Sequence, residues 1–409
     1  MAYASDPLVF IQEAVMPDEI HQNDTFTASY EIKNELSTGS LPLTVSIIPN
    51  QGYITRNAGG TCTSSLAAKK SCTLIFDISP SEDTQTGTSE QILSISYDSR
   101  LGPLTSDMTF EVTPPAMVYV TDNRWNTVFA CKILKNTDEL GQLSDCQNAV
   151  VQTQQKATVF DLPSDIAFVT INDVTYAYIV NLDTEVTQCT VVNNQLINCA
   201  LTELSSYFSM TINHSDNWYA YYGAMDQIFK CDINPDNGDL ESCQDAGTGH
   251  IFTNTVADVL FQTFNNTRYA FIAHGDNAYA GKGTFMRCPV DVSGDISSDC
   301  VTWTGFGRMS GITYASLDDS QYFYLMSGGE IAICEVDDNG DIVGSCSNQQ
   351  FDGYSLVGTM MTNTIDGIPY VYFPAGESVF QCTIGDKGVL NCEDSGADQI
   401  DYPMGVTLF

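Results

Sequence analysis

The chain has 409 residues, 43% of them hydrophobic, and its 15 Lys and Arg oppose 51 Asp and Glu, for a net charge of -36. So negative a surface repels phosphate backbones and anionic lipid headgroups, which excludes nucleic acid as an expected partner. The hydrophobic fraction is sufficient for folded cores, whereas no stretch reaches the roughly 18 apolar residues of a membrane helix. We therefore expect a folded protein, a monomer, with no transmembrane segment.

The first residues indicate export. Ala2-Tyr3-Ala4 before Ser5 has the A-x-A form of a signal-peptidase site. We expect that a signal peptide has been removed near this point and that Met1 is an added start residue.

The 14 cysteines fall into close pairs 10 to 15 residues apart, too far for the C-x₂₋₄-C spacing of zinc sites. Turn residues such as Asp236-Asn237-Gly238 lie between the members of a pair, which is typical of disulfides between cysteines that face each other across a β-hairpin. Disulfides indicate a secreted, periplasmic or cell-surface protein. The predicted pairs are Cys62/Cys72, Cys131/Cys146, Cys189/Cys199, Cys231/Cys243, Cys288/Cys300, Cys334/Cys346 and Cys382/Cys392.

Residues 5–113 form the first predicted domain, an all-β segment with strands such as SCTLIFDI and QILSISY separated by polar turns. Gly60-Thr61-Cys62, Leu66 and Ser71-Cys72-Thr73-Leu74 resemble the "C…L…SCT" core of bacterial Ig-like domains. The resemblance implies an Ig-like β-sandwich in which the cysteine pair ties neighbouring strands. The linker Thr113-Pro114-Pro115-Ala116 marks the boundary, because two prolines interrupt strand pairing.

Residues 117–409 repeat one unit of about 50 residues, which is the size of a propeller blade. Each unit has an aromatic-rich strand, two cysteine-bearing strands and a further strand such as DIAFVTI or DVLFQTF. Six cysteine hairpins occur, but only five strands of the last type lie between them. The sixth, MGVTLF at 404–409, is the C-terminus, so we predict that it completes the unit begun by Val118 and closes a six-bladed β-propeller.

Val118-Tyr119-Val120-Thr121-Asp122-Asn123 resembles the motif that opens each blade of bacterial YVTN-type, lactonase-like propellers. Those lactonases usually have seven blades, whereas six units are counted here, so the resemblance implies the fold without the activity. A cysteine pair in each unit is also similar to exported propellers of Legionella-type intracellular bacteria.

No catalytic residues are predicted. The four histidines form no H-E-x-x-H motif, G-x-S-x-G is absent, and pairing of all cysteines leaves no thiol nucleophile. The sequence thus favours a protein that is not an enzyme and requires no cofactor.

Carboxylates in the loops after the aromatic-rich strands are the candidate metal ligands. These loops are expected at one mouth of the central channel, where converging carboxylates would suit Ca²⁺ or Mg²⁺. The alternative is that an acid-rich chain simply places acids in its loops. The residues are Asp122, Glu185 (or Asp183), Asp226, Asp276, Glu330 and Glu377.

Aromatic residues in or beside the same loops are the candidate ligand contacts, since exposed rings stack on sugars or grip peptides. The alternative is that they pack inside the blades. The candidates are Arg124, Trp125, Trp218, Tyr222 and Tyr279, with Trp125 beside Arg124 the strongest.

The leading hypothesis is an exported recognition protein, such as a bacterial host-interaction factor, that binds a protein or glycan through propeller loops, with 147–164 and 244–256 as contact regions. One alternative is a hydrolase or lyase acting on a lactone or carbohydrate through channel-mouth carboxylates or a cation. Another is a structural subunit of an envelope or secretion assembly.

Overall fold

The structure is a computed structural model that describes most of residues 7–409. The residues outside the description are 1–6, 18, 23–24, 50, 82–83, 86, 98–101, 114–115, 136–138, 151–159, 183–184, 206–208, 216, 224–226, 248–251, 253–254, 276–282, 318–319, 366 and 398. The described part is all-β apart from one 3₁₀ turn, Asp386–Gly388. It contains no helix long and apolar enough to cross a bilayer.

The chain divides into two compact units between residues 115 and 116. The first unit has two four-stranded sheets, ordered β1-β3-β8-β6 and β2-β10-β9-β5, and a small β4-β7 pair. Side chains of both large sheets, including Tyr30, Leu74 and Phe110, share one hydrophobic core. The strands are β1 (Leu8–Gln12), β2 (Glu19–His21), β3 (Phe26–Asn34), β4 (Ser40–Pro42), β5 (Thr44–Ile48), β6 (Ile54–Arg56), β7 (Ser65–Ala67), β8 (Ser71–Ile78), β9 (Gly87–Ser96) and β10 (Leu104–Thr113).

The described residues of the second unit form six antiparallel four-stranded sheets, numbered here as their aromatic-rich strands occur along the chain. Sheet 1 contains β11 (Met117–Asp122), β12 (Thr127–Ile133), β13 (Leu143–Asn148) and the C-terminal β34 (Pro403–Leu408). Sheet 2 contains β14 (Pro163–Ile171), β15 (Val174–Asn181), β16 (Glu185–Val192) and β17 (Gln195–Ser205). Sheet 3 contains β18 (Met210–His214), β19 (Trp218–Gly223), β20 (Ile228–Ile233) and β21 (Leu240–Asp245).

Sheets 4 to 6 repeat this order. Sheet 4 contains β22 (Val256–Phe264), β23 (Thr267–His274), β24 (Gly283–Pro289) and β25 (Val301–Phe306). Sheet 5 contains β26 (Met309–Leu317), β27 (Ser320–Ser327), β28 (Glu330–Val336) and β29 (Ser347–Gln350). Sheet 6 contains β30 (Met361–Ile365), β31 (Ile368–Ala375), β32 (Ser378–Ile384) and β33 (Leu390–Asp394).

The innermost strands of these sheets surround a central channel. They contact one another in the order β34, β14, β18, β22, β26, β30, and β30 contacts β34 again. Residues next to or within all six innermost strands line a cavity of about 330 Å³ on this axis. Sheets arranged radially around a channel are the defining feature of a β-propeller.

The C-terminal strand closes the ring, as the sequence predicted. β34 pairs antiparallel with β11, with Val118 opposite Leu408 and Val120 opposite Val406. Sheet 1 therefore takes strands from both ends of the unit, and β34 covers the edge of β11 that would otherwise be open.

The seven predicted cysteine pairs are disulfide-bonded, and no cysteine is free. In the second unit each bridge lies at the outer edge of one sheet, with Cα–Cα distances of 3.9 to 4.3 Å. The disulfides therefore hold each sheet together and do not join one sheet to the next. The bridges are Cys62–Cys72 in the first unit and, in sheets 1 to 6, Cys131–Cys146, Cys189–Cys199, Cys231–Cys243, Cys288–Cys300, Cys334–Cys346 and Cys382–Cys392.

The second cysteine of each pair departs in most sheets from the simple hairpin position that the sequence predicted. Sheet 6 has the predicted geometry, because Cys392 of β33 lies directly opposite Cys382 of β32. In sheets 4 and 5, Cys300 and Cys346 come one residue before the outermost strands β25 and β29 begin. The prediction that every second cysteine lies within a strand is therefore wrong for these two, since the ladder ends one position short of the bridge.

In sheets 1 to 3 the second cysteine lies in the outermost strand but at a β-bulge, where two residues oppose the first cysteine. The residue before it has a φ of 47° to 52°, which lets the strand accommodate the extra residue. Spacing alone does not predict such a bulge. The bulge pairs are Asp145 and Cys146 in β13, Asn198 and Cys199 in β17, and Ser242 and Cys243 in β21.

Neighbouring sheets are instead joined by a repeated tyrosine. In the second strand of four sheets, a fully buried tyrosine donates its hydroxyl hydrogen to a turn glycine carbonyl of the following sheet. The pairs are Tyr178–Gly238 (2.5 Å), Tyr221–Gly294 (2.7 Å), Tyr324–Gly388 (3.0 Å) and Tyr372–Gly141 (2.6 Å). We call this contact the tyrosine link. The last pair joins sheet 6 to sheet 1.

The turn glycine is required by both backbone and space. Gly238 has a φ of 74°, a region that side-chain-bearing residues rarely occupy. A Cβ on Gly238 would lie 2.5 Å from the ring of Tyr176. The sequence indicates these glycines only as turn formers. They therefore also leave room for the tyrosine rings of the preceding sheet.

Two sheets lack the tyrosine link. The equivalent residue of sheet 4 is Phe271, whose ring would lie 3.1 Å from a Cβ on Gly340. In sheet 1 the equivalent Tyr119 is fully buried, but its hydroxyl has no partner among the described residues. The turn that follows in sheet 2 is Asn193-Asn194 and has no glycine. Tyr119 is thus a natural control for the other tyrosines.

Replacing Tyr178 by Phe should destabilise the propeller by about 1–3 kcal/mol, because the Gly238 carbonyl would stay buried without its donor. Tyr119→Phe should be neutral or slightly stabilising, because it removes a hydroxyl that has no partner among the described residues. Guanidinium unfolding of the two variants beside the wild type measures this difference. Equal losses in both variants would show that the hydroxyl bond is not what stabilises the ring.

Candidate functional site

The channel contains two carboxylates at equivalent positions of the repeat. In the strand register, Asp165 of sheet 2 and Asp258 of sheet 4 occupy the same place: each lies opposite the residue that comes three positions after the partner of the first cysteine. This layer combines acids with small residues because the innermost strands approach closely: a Cβ on Gly405 would lie 2.8 Å from the Cα of Asp165. The corresponding residues of sheets 1, 3, 5 and 6 are Gly405, Ser209, Gly311 and Thr359.

Both carboxylates connect neighbouring sheets by accepting backbone hydrogen bonds from each of them. The backbone N–H of Ile166 donates to Oδ1 of Asp165, and that of Met210 in sheet 3 donates to Oδ2, each at 2.9 Å. Asp258 repeats the arrangement with Val259 of its own sheet and Ile312 of sheet 5, each at 2.8 Å.

Hydroxyl groups complete the two sites. Thr359 donates to Oδ1 of Asp165 at 2.9 Å, and Ser209 hydrogen-bonds Asp258. Each carboxylate therefore has three donors, which occupy both of its oxygens.

Burial raises the pKa of Asp165 to about 7, with a further contribution from the charge of Asp258. Burial likewise raises the pKa of Asp258 to about 6. In both cases loss of hydration outweighs the hydrogen bonds, which favour the charged form. These two groups therefore titrate near neutral pH.

The predicted metal ligand Asp122 is instead a buried structural residue, which corrects the sequence interpretation. Its Oδ1 accepts the backbone N–H groups of Arg124 and Trp125, both at 2.9 Å. Its Oδ2 accepts those of Asp401 and Tyr402 at 2.8 and 3.3 Å. With both oxygens occupied, Asp122 fixes the β11–β12 turn and has no lone pair aimed at a channel ion.

The other predicted metal ligands are dispersed or lie outside the described residues. Glu185 and Glu377 are exposed, and Glu330 accepts hydrogen bonds from the side chains of Asn348 and Gln350. Within the described ranges no three His, Cys, Asp or Glu side chains are grouped closely enough to hold a metal ion. The prediction of a metal site at the channel mouth therefore remains only for the candidates that the structure does not describe. The acids outside the description are Asp226 and Asp276, together with the alternative ligand Asp183.

Trp125 is exposed, at 60% of its surface, and is held in one orientation. Its indole N–H donates to Oδ2 of Asp401 at 2.9 Å, and the Arg124 guanidinium lies 6.0 Å from the ring centre. Arg124 also forms an ion pair with Asp401 at 3.7 Å. The sequence placed both residues in an exposed loop, and the structure does the same.

Two other aromatic candidates do not offer an exposed ring at these loops. Tyr222 is 5% exposed and stacks on Phe229 with 5.2 Å between ring centres, because alternate residues of β19 face neighbouring sheets. Trp218 begins β19, at the opposite end from the following loop, and packs half-buried against His214. Tyr279 lies outside the described residues, as do 151–159 and much of 244–256 in the predicted contact loops.

Trp125 belongs to a patch of exposed side chains that we call the Trp125 patch, consisting of Arg124, Trp125, Leu162, Asp401 and Tyr402. Leu162 and Tyr402 are 42% and 46% exposed. Asn126 accepts the backbone N–H of Leu162 at 2.9 Å, and the backbone of Tyr402 accepts that of Asn123 at 3.0 Å. Three segments distant in sequence are thereby fixed side by side.

A second feature of this end of the propeller was missed by the sequence reasoning. A cavity of about 170 Å³ lies where several innermost strands begin, and Arg308 is the one charged residue among the described residues that line it. No motif surrounds Arg308. The Asp165–Asp258 pair was also missed, although the aligned strands DIAFVTI and DVLFQTF carry it in the sequence.

Comparisons with known proteins identify no family. No protein-family model matches the chain, and no curated protein matches it. The proposed kinship with lactonase-like or Legionella-type propellers therefore gains no support from them.

Solved structures give partial likenesses. An α-L-arabinofuranosidase from Lactobacillus brevis is 13% identical, with 60% of this chain and 90% of that chain covered and a TM-score of 0.41. An auxiliary nutrient binding protein from Bacteroides thetaiotaomicron is 12% identical, with 95% and 85% covered and a TM-score of 0.36. A glucose dehydrogenase is 10% identical, with 59% and 89% covered and a TM-score of 0.40. At these scores the likenesses carry no argument, so the propeller assignment rests on strand order and the channel.

Lowering the pH from about 8 to about 5 should stabilise the propeller. The pKa values of Asp165 and Asp258 in the folded chain exceed the ordinary 3.8, so the folded state binds more protons than the unfolded state between these pKa values. Stability therefore rises as the pH falls through about 7 and 6, by about 1.4 kcal/mol per carboxyl for each pH unit below its folded pKa, down to 3.8. Guanidinium unfolding across this pH range measures the slope.

Asp165→Asn should flatten that slope, whereas Asp352→Asn, which removes one exposed carboxylate, should leave it as in the wild type. The control matters because protonating any acid in a chain of net charge -36 also relieves general repulsion. The same slope in both variants would rule out Asp165 as its source.

Proposed function

We propose that the protein is an exported recognition protein that binds a protein or a glycan through the Trp125 patch. The main support for this proposal is that Trp125 is exposed and is nevertheless held in place by its hydrogen bond to Asp401 and by the turn that Asp122 fixes. Tryptophan and arginine dominate the binding energy of many interfaces.

Preorganisation is the physical reason that this surface suits binding. An aromatic side chain already held in one orientation loses little conformational entropy when a partner covers it. Asp122 fixes the backbone of two of the three segments through four hydrogen bonds, so the patch keeps its shape before a ligand arrives. Leu162 and Tyr402, on the two segments bonded to the Trp125 turn, supply further exposed apolar area.

We also propose that the six described sheets are the blades of a six-bladed propeller and that the first unit is an Ig-like β-sandwich. The closed order of the innermost strands supports the first assignment. The shared core of two four-stranded sheets supports the second. Seven disulfides agree with an oxidising compartment and support a secreted, periplasmic or cell-surface location.

A second candidate function is hydrolysis of a lactone or carbohydrate. Two carboxyl groups with pKa values near neutral beside a cavity are typical of acid–base catalysis. Against this, both oxygens of each carboxylate already accept hydrogen bonds from the protein. Hydrolysis that is lost in Asp165→Asn with the fold intact would favour this candidate.

A glycan array and a panel of extracellular proteins should yield a ligand whose affinity falls about 30-fold in Trp125→Ala. This loss corresponds to the roughly 2 kcal/mol of an interface hot spot. Trp218→Ala is the matched control, because it removes an indole of sheet 3 at the opposite end of the second strand from the loop that corresponds to the Trp125 loop. This variant should bind as the wild type does. Equal affinity of the Trp125 variant and the wild type would exclude the patch.

A further inference from the structure

The cavity near Arg308, which we call the mouth cavity, lies at the end of the channel where the innermost strands begin. Residues from the starts of β14, β22, β26 and β34 line it, together with Gly275 and Gly328 from two loops that follow the second strands. Its walls are mixed, with apolar residues such as Met309 and Leu356 beside hydroxyl-bearing residues such as Ser310 and Ser355.

The mouth cavity differs electrostatically from the rest of the chain. Although 51 of 409 residues are acidic, none of the described residues that line it is Asp or Glu. The single charge among them is the Arg308 guanidinium. A cavity whose described lining holds one cation and no carboxylate favours an anion, even on a protein whose net charge repels anions.

Arg308 is also the one described arginine without a protein partner. It is exposed and makes no hydrogen bond or ion pair with any residue that the structure describes. The five N–H donors of Arg308 therefore remain available to a ligand. Each of the other four described arginines contacts a protein oxygen: Arg56 the Cys62 carbonyl, Arg124 the Asp401 carboxylate, Arg268 the His214 carbonyl and Arg287 the Asp341 carboxylate.

We propose that the mouth cavity binds the oxyanion of a small acidic molecule through Arg308. A guanidinium recognises carboxylate or phosphate oxygens by two parallel, charge-assisted hydrogen bonds. The volume of about 170 Å³ is below the roughly 300–1,000 Å³ of sites for drug-sized ligands. It therefore suits one compact group, such as an acidic monosaccharide, with the hydroxyl-bearing wall residues facing the ring.

This site is independent of the Trp125 patch, because none of the patch residues lines the cavity. A ligand of the patch could be found while the mouth cavity binds nothing, and the reverse also holds. Failure of one proposal therefore does not imply failure of the other.

The test is ligand-observed NMR and calorimetry on the full chain with three probes: D-glucuronate, D-glucose and inorganic phosphate. We expect glucuronate to bind at least about tenfold more tightly than glucose, because only the anion engages Arg308. Arg308→Gln should weaken glucuronate binding about tenfold or more. Arg56→Gln, which removes an arginine of the first unit already bonded to the Cys62 carbonyl, is the matched control and should bind as the wild type does.

The outcomes separate cleanly. If phosphate binds in an Arg308-dependent way and glucuronate does not, the oxyanion site stands and its ligand is of the phosphate type. The proposal is overturned if glucose binds as tightly as glucuronate. It is also overturned if Arg308→Gln abolishes the binding of neither glucuronate nor phosphate. Unchanged melting temperatures of the two arginine variants establish that folding does not cause the difference.

Discussion

The propeller depends on contacts that run from each sheet to the next in one direction along the chain. The tyrosine link is the clearest of these contacts, because one buried hydroxyl meets a carbonyl that only a glycine turn can present. A second layer lies alongside it. The residue before the first cysteine donates to the carbonyl just before that glycine in three successive sheets: Gln188 to Asn237, Lys230 to Ser293 and Arg287 to Asn339.

Covalent and non-covalent bonds have different roles in this ring. Disulfides cross-link the two outer strands within each sheet, and the first cysteine of each pair is also buried in a hydrophobic core. Hydrogen bonds and aromatic packing join neighbouring sheets, and the Asp165–Asp258 layer does so at the channel wall. A ring fixed in this way can keep loops from distant parts of the sequence side by side, and the Trp125 patch is such an arrangement.

The sequence predicted what repeats in each unit: the strand order, the cysteine pairs and the closing strand, since each leaves a periodic pattern. The spacing of a cysteine pair did not reveal whether its second member lies in a regular strand, as Cys392 does, or at a bulge, as Cys146 does. Both geometries bring two Cα atoms equally close.

Contacts between sheets leave no such pattern. A link such as Tyr178–Gly238 joins residues 60 positions apart whose separate roles as packing and turn residues are both plausible. Asp122 was mistaken for a channel ligand because composition does not tell which way a carboxylate points. The Trp125 loop was predicted, but its partner Asp401 comes from the far end of the chain.

The most direct test of closure is amide hydrogen exchange on the full chain under native conditions. If the ring is closed by β34 and the links between sheets, β11 (Met117–Asp122) should exchange only through the same global opening as β20 (Ile228–Ile233). Both would then show equal opening free energies and equal denaturant dependence. Exchange of β11 and β34 through a separate opening of much lower free energy would contradict the account.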